Sequence, residues 1–155
     1  MQQWGRNTIT TAQWLSLIEQ WGRGTGRSDE EIGELQAIAQ RITRHESRFR
    51  TDGLLSSDGF VASMVAYDYG CAVNMARWGF LAGYCNRPHA ERYVFSVSPR
   101  VRQKYISWAD FSAGYILGQV IRFDRDSYGT YYQRVLDGHR ILTSHPLSPW
   151  LHMRF

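Results

Sequence analysis

The stretch AYDYGCAVNMARWGFLAGY, Ala66–Tyr84, is the least polar part of a 155-residue chain in which 43% of the residues are hydrophobic. Together with the residues before it, this stretch predicts one long central helix over Gly59–Tyr84. One side of that helix carries large apolar residues, and the opposite side carries small residues four apart, Ala62, Ala66 and Gly70. A helix that is apolar on both sides is typical of one packed between neighbours. We therefore expect this helix to be buried, with its small residues letting another helix approach closely.

Two charges interrupt the stretch. Asp68 lies among the apolar residues of one face, and Arg77 follows nine residues later. In a continuous helix that spacing gives two and a half turns and about 13 Å, so the two charges lie on opposite sides. They cannot neutralise each other, and burying an unpaired charge is costly. Two interpretations stay open. Each charge is buried, either in a salt bridge or as a hydrogen-bonded anchor, which we favour, or one or both line a polar pocket.

The rest of the sequence predicts further helices. Ser28 and Glu31 form a capping box at the start of a helix, Pro99 is expected to break a helix, and Gly138 is expected to end the last one. No segment alternates polar and apolar residues with the two-residue period of a strand. The sequence therefore predicts an all-α fold with a single domain over residues 1–155. We expect a compact bundle of six or seven helices around the central buried helix.

The sequence also bears on the compartment. No segment reaches the run of about 18 apolar residues expected of a membrane span. The N-terminal sequence MQQWGRNTITT lacks the basic start and apolar run of a signal peptide. Cys71 and Cys85 would be about 21 Å apart along a continuous helix, which is too far for a disulfide. We expect a cytoplasmic protein that contacts no membrane, while secretion by a route without a signal peptide stays open.

The positive charge is concentrated in arginine, and the formal net charge is +4. Arg41, Arg44 and Arg48 lie three and four residues apart and form a basic stripe on one predicted helix. Such a stripe is typical of a solvated face with Arg–Glu pairs, the interpretation we favour. The alternative is a strip that contacts the phosphates of a nucleic acid. His45 and Glu46 in the same helix are candidates for a general base or a metal ligand.

Motifs of established catalytic and cofactor sites are missing from the sequence. There is no Gly-x-Ser-x-Gly nucleophile elbow. The glycine-rich WGRGTGR, residues 21–27, joins two predicted helices and lacks the strand that precedes a phosphate-binding or dinucleotide-binding loop. Cys85 and His89 supply half of a structural zinc site at best, since such a site takes four ligands. We therefore expect no metal ion and no cofactor.

Three segments resemble one protein family. VASMVAYDYGCAVNMARWGFLAGY at residues 61–84, SWADFSAGYILGQ at residues 107–119 and Ser-Pro-Trp at residues 148–150 look like signatures of the bacterial domain-of-unknown-function 1266 family. Tyr67 departs from the family pattern, in which Trp is common at that position. The resemblance covers most of the chain and implies an α-helical bacterial domain, but no particular activity. The residues that match signature positions are Asp68, Asn74, Arg77, Trp78, Gly79, Trp108 and Trp150.

Two functions fit these observations. The first is a non-enzymatic protein-interaction module, because no catalytic motif is present and because Trp, Tyr and Arg dominate binding hot spots. It would bind another protein in a groove lined by arginine and tryptophan, and its candidate binding residues are Asp68, Asn74, Arg77, Trp78, Trp108 and Trp150. The alternative is a small toxin-type enzyme that acts on nucleic acid or a nucleotide. Its candidates are Asp68, Glu46 and His45 for acid-base catalysis, with Arg48 and Arg77 on phosphate. The oligomeric state stays open.

Overall fold

The computed structural model describes residues 9–124 and 127–155. This part of the chain contains helices and no strand, so the predicted all-α class is confirmed. The chain divides into two units, one up to Phe60 and the other from Val61 onward. A single domain over residues 1–155 stays a prediction. The helices are α1 Thr11–Gly24 and α2 Asp29–Thr51 in the first unit, then α3 Ala66–Leu81, α4 Arg87–Lys104, α5 Trp108–Phe123, α6 Thr130–Ser144 and α7 Pro149–His152 in the second.

In the first unit, α1 and α2 form a helical hairpin whose ends follow the sequence signals. The capping box predicted at the start of α2 is confirmed: the Ser28 hydroxyl accepts from the Glu31 backbone N–H, and the Glu31 carboxylate accepts from the Ser28 N–H. The two helices approach closely at Gly22, where a Cβ atom would lie 2.5 Å from the Ile32 side chain. A larger residue at position 22 would therefore push α1 away from α2.

The core of the second unit is built around α5. Six residues of this helix are buried, more than in any other helix of the second unit in the described part of the chain: Ser112, Ala113, Gly114, Ile116, Leu117 and Val120. At Gly118 a Cβ atom would come within 2.6 Å of the Met64 carbonyl oxygen, and at Gly114 it would collide with the carbonyl oxygen of Ser63. These two glycines let the backbone just before α3 lie directly against α5.

The predicted central helix differs from the observed one in length and in burial. It begins at Ala66 rather than Gly59 and ends at Leu81, and only Ala66 within it is buried. The prediction of a buried centre at this helix is therefore wrong, because α5 occupies that place. No side chain of the preceding segment caps α3. The hydroxyl of Tyr105 instead accepts from the Ala66 N–H at 2.8 Å and donates to the Ser63 carbonyl at 2.8 Å.

Two predicted helix ends are also wrong. Helix α4 continues through Pro99, and α6 continues through Gly138 to Ser144. A proline removes one backbone donor, and the hydrogen bonds on both sides of it maintain α4. A glycine weakens a helix by about 1 kcal/mol relative to alanine. That cost is offset in α6 by the burial of Tyr132, Leu136 and His139 along one face that passes position 138.

The described helices fall short of a membrane span, since none of them is both long enough and apolar enough to cross a bilayer. Cys71 and Cys85 are both free thiols. The prediction that they do not form a disulfide is confirmed.

Candidate functional site

Asp68 and Arg77 are both exposed to solvent. The favoured interpretation, in which each is buried in a salt bridge or as a hydrogen-bonded anchor, is therefore wrong. Asp68 shares the open face of α3 with Ala72, Met75 and Trp78, which follow it at helical spacing and are exposed as well. Met75 is 69% exposed and Trp78 is 60% exposed. The face that the sequence assigned to the core is thus largely a solvent-facing surface with two large apolar side chains.

The opposite face of α3 packs against α5. Gly70 lies where a Cβ atom would be 2.5 Å from the Tyr115 ring, and the ring centroids of Tyr67 and Tyr115 are 5.4 Å apart. The prediction that small residues here admit a neighbouring helix is confirmed for Ala66, which is buried, and for Gly70. Burial of this face explains why the open face can remain exposed, since the helix is already held on its other side.

The predicted tryptophans separate into two places. Trp108 and Trp150 stack with ring centroids 5.4 Å apart and an angle of 12° between the planes. The Trp108 indole N–H donates to the Met153 carbonyl at 3.1 Å, and the Phe155 ring stands edge-on to Trp108 at 5.0 Å. These contacts fasten the C-terminal segment to the start of α5. Trp78 makes no ring contact with either tryptophan in the described residues, so a single groove lined by all three stays a prediction.

The other two predicted binding residues lie elsewhere on α3. Asn74 is half-buried, and Arg77 is exposed on the side of the helix opposite Asp68. Neither Asp68 nor Arg77 forms an ion pair within the described ranges, which agrees with the distance that the helix holds between them. Both charges are therefore available to a partner or to solvent.

A cavity of about 370 Å³ opens in the second unit between α5, α6 and α7. Its wall is mostly apolar, and Trp150 forms part of it. The polar side chains in the wall come from positions that the sequence analysis did not select. The lining residues are Phe111, Ser112, Tyr115, Ile116, Gln119, Val135, Gly138, His139, Leu142 and Trp150.

Ser112 and His139 form a hydrogen-bonded pair in this wall, with 2.9 Å between Oγ and Nδ1. Burial lowers the pKa of His139, and the positive charge of Arg140 lowers it further. The imidazole is therefore neutral near neutral pH. Burial also raises the pKa of Tyr115. The pair comes from two helices and lies 27 residues apart in the chain, so no local motif marks it. The sequence feature that lies at this cavity is Gly138, a glycine inside an otherwise regular helical pattern.

One arginine of the basic stripe in the first unit forms an ion pair with a carboxylate one turn away. Arg48 Nε lies 2.7 Å from the Asp52 carboxylate in an ion pair, and the Arg48 side chain is 40% exposed. Arg44 is exposed, and Arg41 is half-buried. The pairing of Arg48 with a carboxylate one turn away fits the interpretation favoured from sequence, with Asp in place of Glu.

Glu46 and His45 are buried in α2. Glu46 lies on the wall of a polar cavity of about 500 Å³ in the first unit, together with Arg50, Asp58 and several threonine and serine side chains. Arg50 Nη1 donates to the Gly59 carbonyl at 2.7 Å, and both residues line this cavity. The His45 ring lies 6.2 Å from the ring of Phe49.

Cys85 and His89, predicted to supply half of a zinc site at best, belong to no group of three or more possible metal ligands among the described residues. His89 is exposed and packs its ring 5.4 Å from that of Tyr93. Cys85 is half-buried near Gly79. The structure therefore gives both residues packing roles.

Comparison with known proteins identifies a family and nothing more specific. A family described as protein of unknown function (DUF1266) matches residues 7–155, which is nearly the whole chain. No curated protein and no solved structure matches the sequence. The match includes the segments around Asp68, Trp108 and Trp150 that carried the resemblance. The chain belongs to the DUF1266 family.

Proposed function

We propose that this protein is a non-enzymatic interaction module of the bacterial cytoplasm that binds another protein through the open face of α3. The observation that supports this most is the exposure of Met75 and Trp78 on one helix face. Large exposed apolar side chains that cluster mark interaction sites more often than they serve stability. Tryptophan is also among the residues that most often dominate binding energy.

The chemistry of this face suggests what the partner presents. Met75 and Trp78 fit an apolar groove, and methionine adapts its shape to such a groove. Asp68 lies at the N-terminal end of the same face and is exposed, so a lysine or arginine of the partner would meet it there. Arg77 on the other side of α3 contributes only if the partner wraps around the helix. The proposed partner surface is therefore an apolar groove with a basic rim.

The test uses a photoactivatable crosslinking amino acid at position 75 in the full chain, expressed in the native host. We expect it to capture one predominant protein, which is then purified for binding measurements. Trp78→Ala is expected to weaken binding of that protein by at least about 2 kcal/mol, or roughly thirtyfold in Kd. Asp68→Ala is expected to reduce mainly the association rate, and that reduction should shrink at high salt.

Phe95 gives a matched control, because it is an aromatic residue on α4 that is 70% exposed. Phe95→Ala should leave the Kd unchanged. Equal capture from positions 75 and 95, or a Trp78→Ala variant that binds the purified partner as tightly as the wild type, would contradict the proposal. Circular dichroism of each variant shows whether the fold is intact.

The polar cavity around Glu46 supports a second candidate, an enzyme that acts on nucleic acid or a nucleotide. A carboxylate that is only 5% exposed, in a cavity that Arg50 also lines, is an arrangement suited to acid-base chemistry on a phosphate-bearing substrate. The Arg48–Asp52 pair argues against Arg48 as a phosphate contact, since its guanidinium already has a carboxylate partner.

Expression in a heterologous bacterium tests this second candidate. Growth inhibition by the wild type that disappears in a folded Glu46→Gln variant would favour the enzyme. Absence of inhibition, together with no hydrolysis of RNA, DNA or nucleoside triphosphates by the purified protein, would remove it. Neither outcome depends on the face of α3, so the two candidates are separable.

A further inference from the structure

The excess positive charge of the protein is concentrated on α4. With histidine counted as neutral, this helix carries five arginine and lysine residues and one glutamate, and the resulting charge equals the formal net charge of +4 for the whole chain. In every other helix that the structure describes, the numbers of basic and acidic residues differ by at most one. The charge is therefore a local property of α4 and not of the surface in general.

Four of the five cations on α4 have no carboxylate partner. Glu91 is the sole acidic residue of the helix, and its Oε1 atom accepts from Arg87 Nε at 2.7 Å. Arg92 approaches a ring nitrogen instead, with 3.5 Å between its Nη2 atom and His89 Nδ1. The helix dipole favours cations in the last turn, but Arg92 lies more than two turns before it. The cations that form no ion pair within the described ranges are Arg92, Arg100, Arg102 and Lys104, and all four are exposed.

An exposed aromatic ring lies between two of these cations. Phe95 follows Arg92 by three residues and precedes Arg102 by seven, and these spacings place all three side chains on one face of the helix. Phe95 is 70% exposed, and it contacts no other aromatic ring in the part of the chain that the structure describes. The two arginines are about 15 Å apart along the helix axis. This outward face of α4 therefore presents a bare ring with a cation on either side.

The apolar side chains of α4 are turned away from this face. Ala90 is buried, the valines at helical spacing from it, Val94, Val97 and Val101, are half-buried, and α4 packs on α3. A helix that lies in a membrane interface needs an apolar face that is free to enter the bilayer. The apolar face of α4 is already used within the protein. The cations of the outward face are therefore suited to a polyanion in water rather than to a lipid surface.

We propose that the outward face of α4, defined by Arg92, Phe95 and Arg102, binds single-stranded nucleic acid. Its arginines pair with phosphates, and a base stacks on Phe95. Such a strand alternates phosphates with flat rings, which matches the order of cation, ring and cation on this face. The bases of a duplex are stacked on one another and offer no face to Phe95, and an acidic protein segment offers anions without flat rings between them. The proposal does not rest on the open face of α3 or on the cavity around Glu46.

Two single-stranded probes test the proposal, an oligothymidylate of about 20 nucleotides and an abasic strand of the same length. Both carry the same phosphates, and only the first carries bases. Fluorescence anisotropy with the full chain at low salt should show the oligothymidylate binding at least about fivefold more tightly, because the stacking of one base contributes about 1 kcal/mol or more. Equal affinities, or no binding of the oligothymidylate at about 100 μM protein, would overturn the proposal.

Substitutions on the outward face assign each contact. Phe95→Ala should lower the affinity for the oligothymidylate to that for the abasic strand and leave binding of the abasic strand unchanged. Arg92→Gln and Arg102→Gln should each reduce the slope of log Kd against log salt concentration by about 0.7, the contribution of one phosphate contact on a single strand. A folded Phe95→Ala variant that binds the oligothymidylate as tightly as the wild type would place the strand elsewhere and overturn the proposal.

Two exposed residues of other helices serve as matched controls. Arg134→Gln removes the same charge from α6, and Trp78→Ala removes an exposed aromatic ring from α3. Neither should change binding of the oligothymidylate, and circular dichroism shows whether each variant is folded. A loss in either control as large as that of the α4 variants would show that the strand is not bound at α4. Binding of the protein to phosphatidylserine vesicles or to polyglutamate, without binding to the oligothymidylate, would identify a different class of partner and overturn the proposal.

Discussion

Helices α3 and α5 belong to the same unit, have the same length of 16 residues and are both apolar, yet six residues of α5 are buried and only one of α3. The difference lies in what each helix meets. Other segments of the chain pack against α5 on several sides. At Gly114 and Gly118 the backbone of a neighbouring segment comes so close that a Cβ atom would not fit. α3 presents its small residues to α5 and leaves Met75 and Trp78 outside. An apolar sequence thus predicts burial only where a neighbour covers each face.

The largest expected effect comes from truncating one apolar residue on each helix. Leu117 of α5 is 1% exposed. Leu117→Ala should lower the free energy of unfolding by about 2 to 5 kcal/mol, because it removes buried methyl groups and leaves a cavity. Met75→Ala should change it by no more than about 0.5 kcal/mol, as is usual for exposed positions.

Urea unfolding followed by circular dichroism measures both values. A comparable loss in the two variants would mean that the open face of α3 is covered in solution. The contrast between the helices would then disappear, and with it the main support for a protein-binding face.

An intermediate effect is expected at the junction that joins the two helices. Tyr105 is buried, and its hydroxyl bonds both the Ser63 carbonyl and the Ala66 N–H at the start of α3. Tyr105→Phe should lower the free energy of unfolding by about 1 to 3 kcal/mol, because it removes the hydroxyl that bonds the buried Ala66 N–H and the part-buried Ser63 carbonyl. Tyr84→Phe is the control, since Tyr84 is 89% exposed. If both variants unfold at the same urea concentration, the hydroxyl does not hold this junction.

The sequence predicted the parts of the fold that local chemistry determines. The capping box at Ser28 and Glu31 is an interaction between near neighbours, so its residues are visible as a pattern. The small-residue face of α3 followed from helical spacing alone. The burial of α3 did not follow, because it depends on how much of a helix the rest of the chain covers, and spacing carries no information about that.

The candidate cavity shows the same limit more sharply. Ser112 and Gln119 come from α5 and His139 from α6, and they meet only because the two helices pack side by side. Gly138 was visible, but a glycine within a helical pattern has two explanations, a helix end or a space kept empty. The pattern was interpreted as a helix end. The buried stripe of Tyr132, Leu136 and His139, which continues past the glycine, shows that the helix does not end there.

The smallest expected effect is a pH dependence that reports on the α5–α6 contact. The pKa of His139 is lowered in the folded protein from its usual 6.5, so the unfolded chain binds a proton more readily. Stability from this residue is complete above about pH 6.5 and is lost as pH falls toward the lowered folded pKa. The wild type should therefore lose more unfolding free energy between pH 7.5 and pH 5 than His139→Gln does.

Equal losses would mean that His139 is protonated as easily in the folded protein as in the unfolded chain. The imidazole would then have to be solvated, and the cavity wall that it forms with Ser112 would be open to water rather than packed against α5.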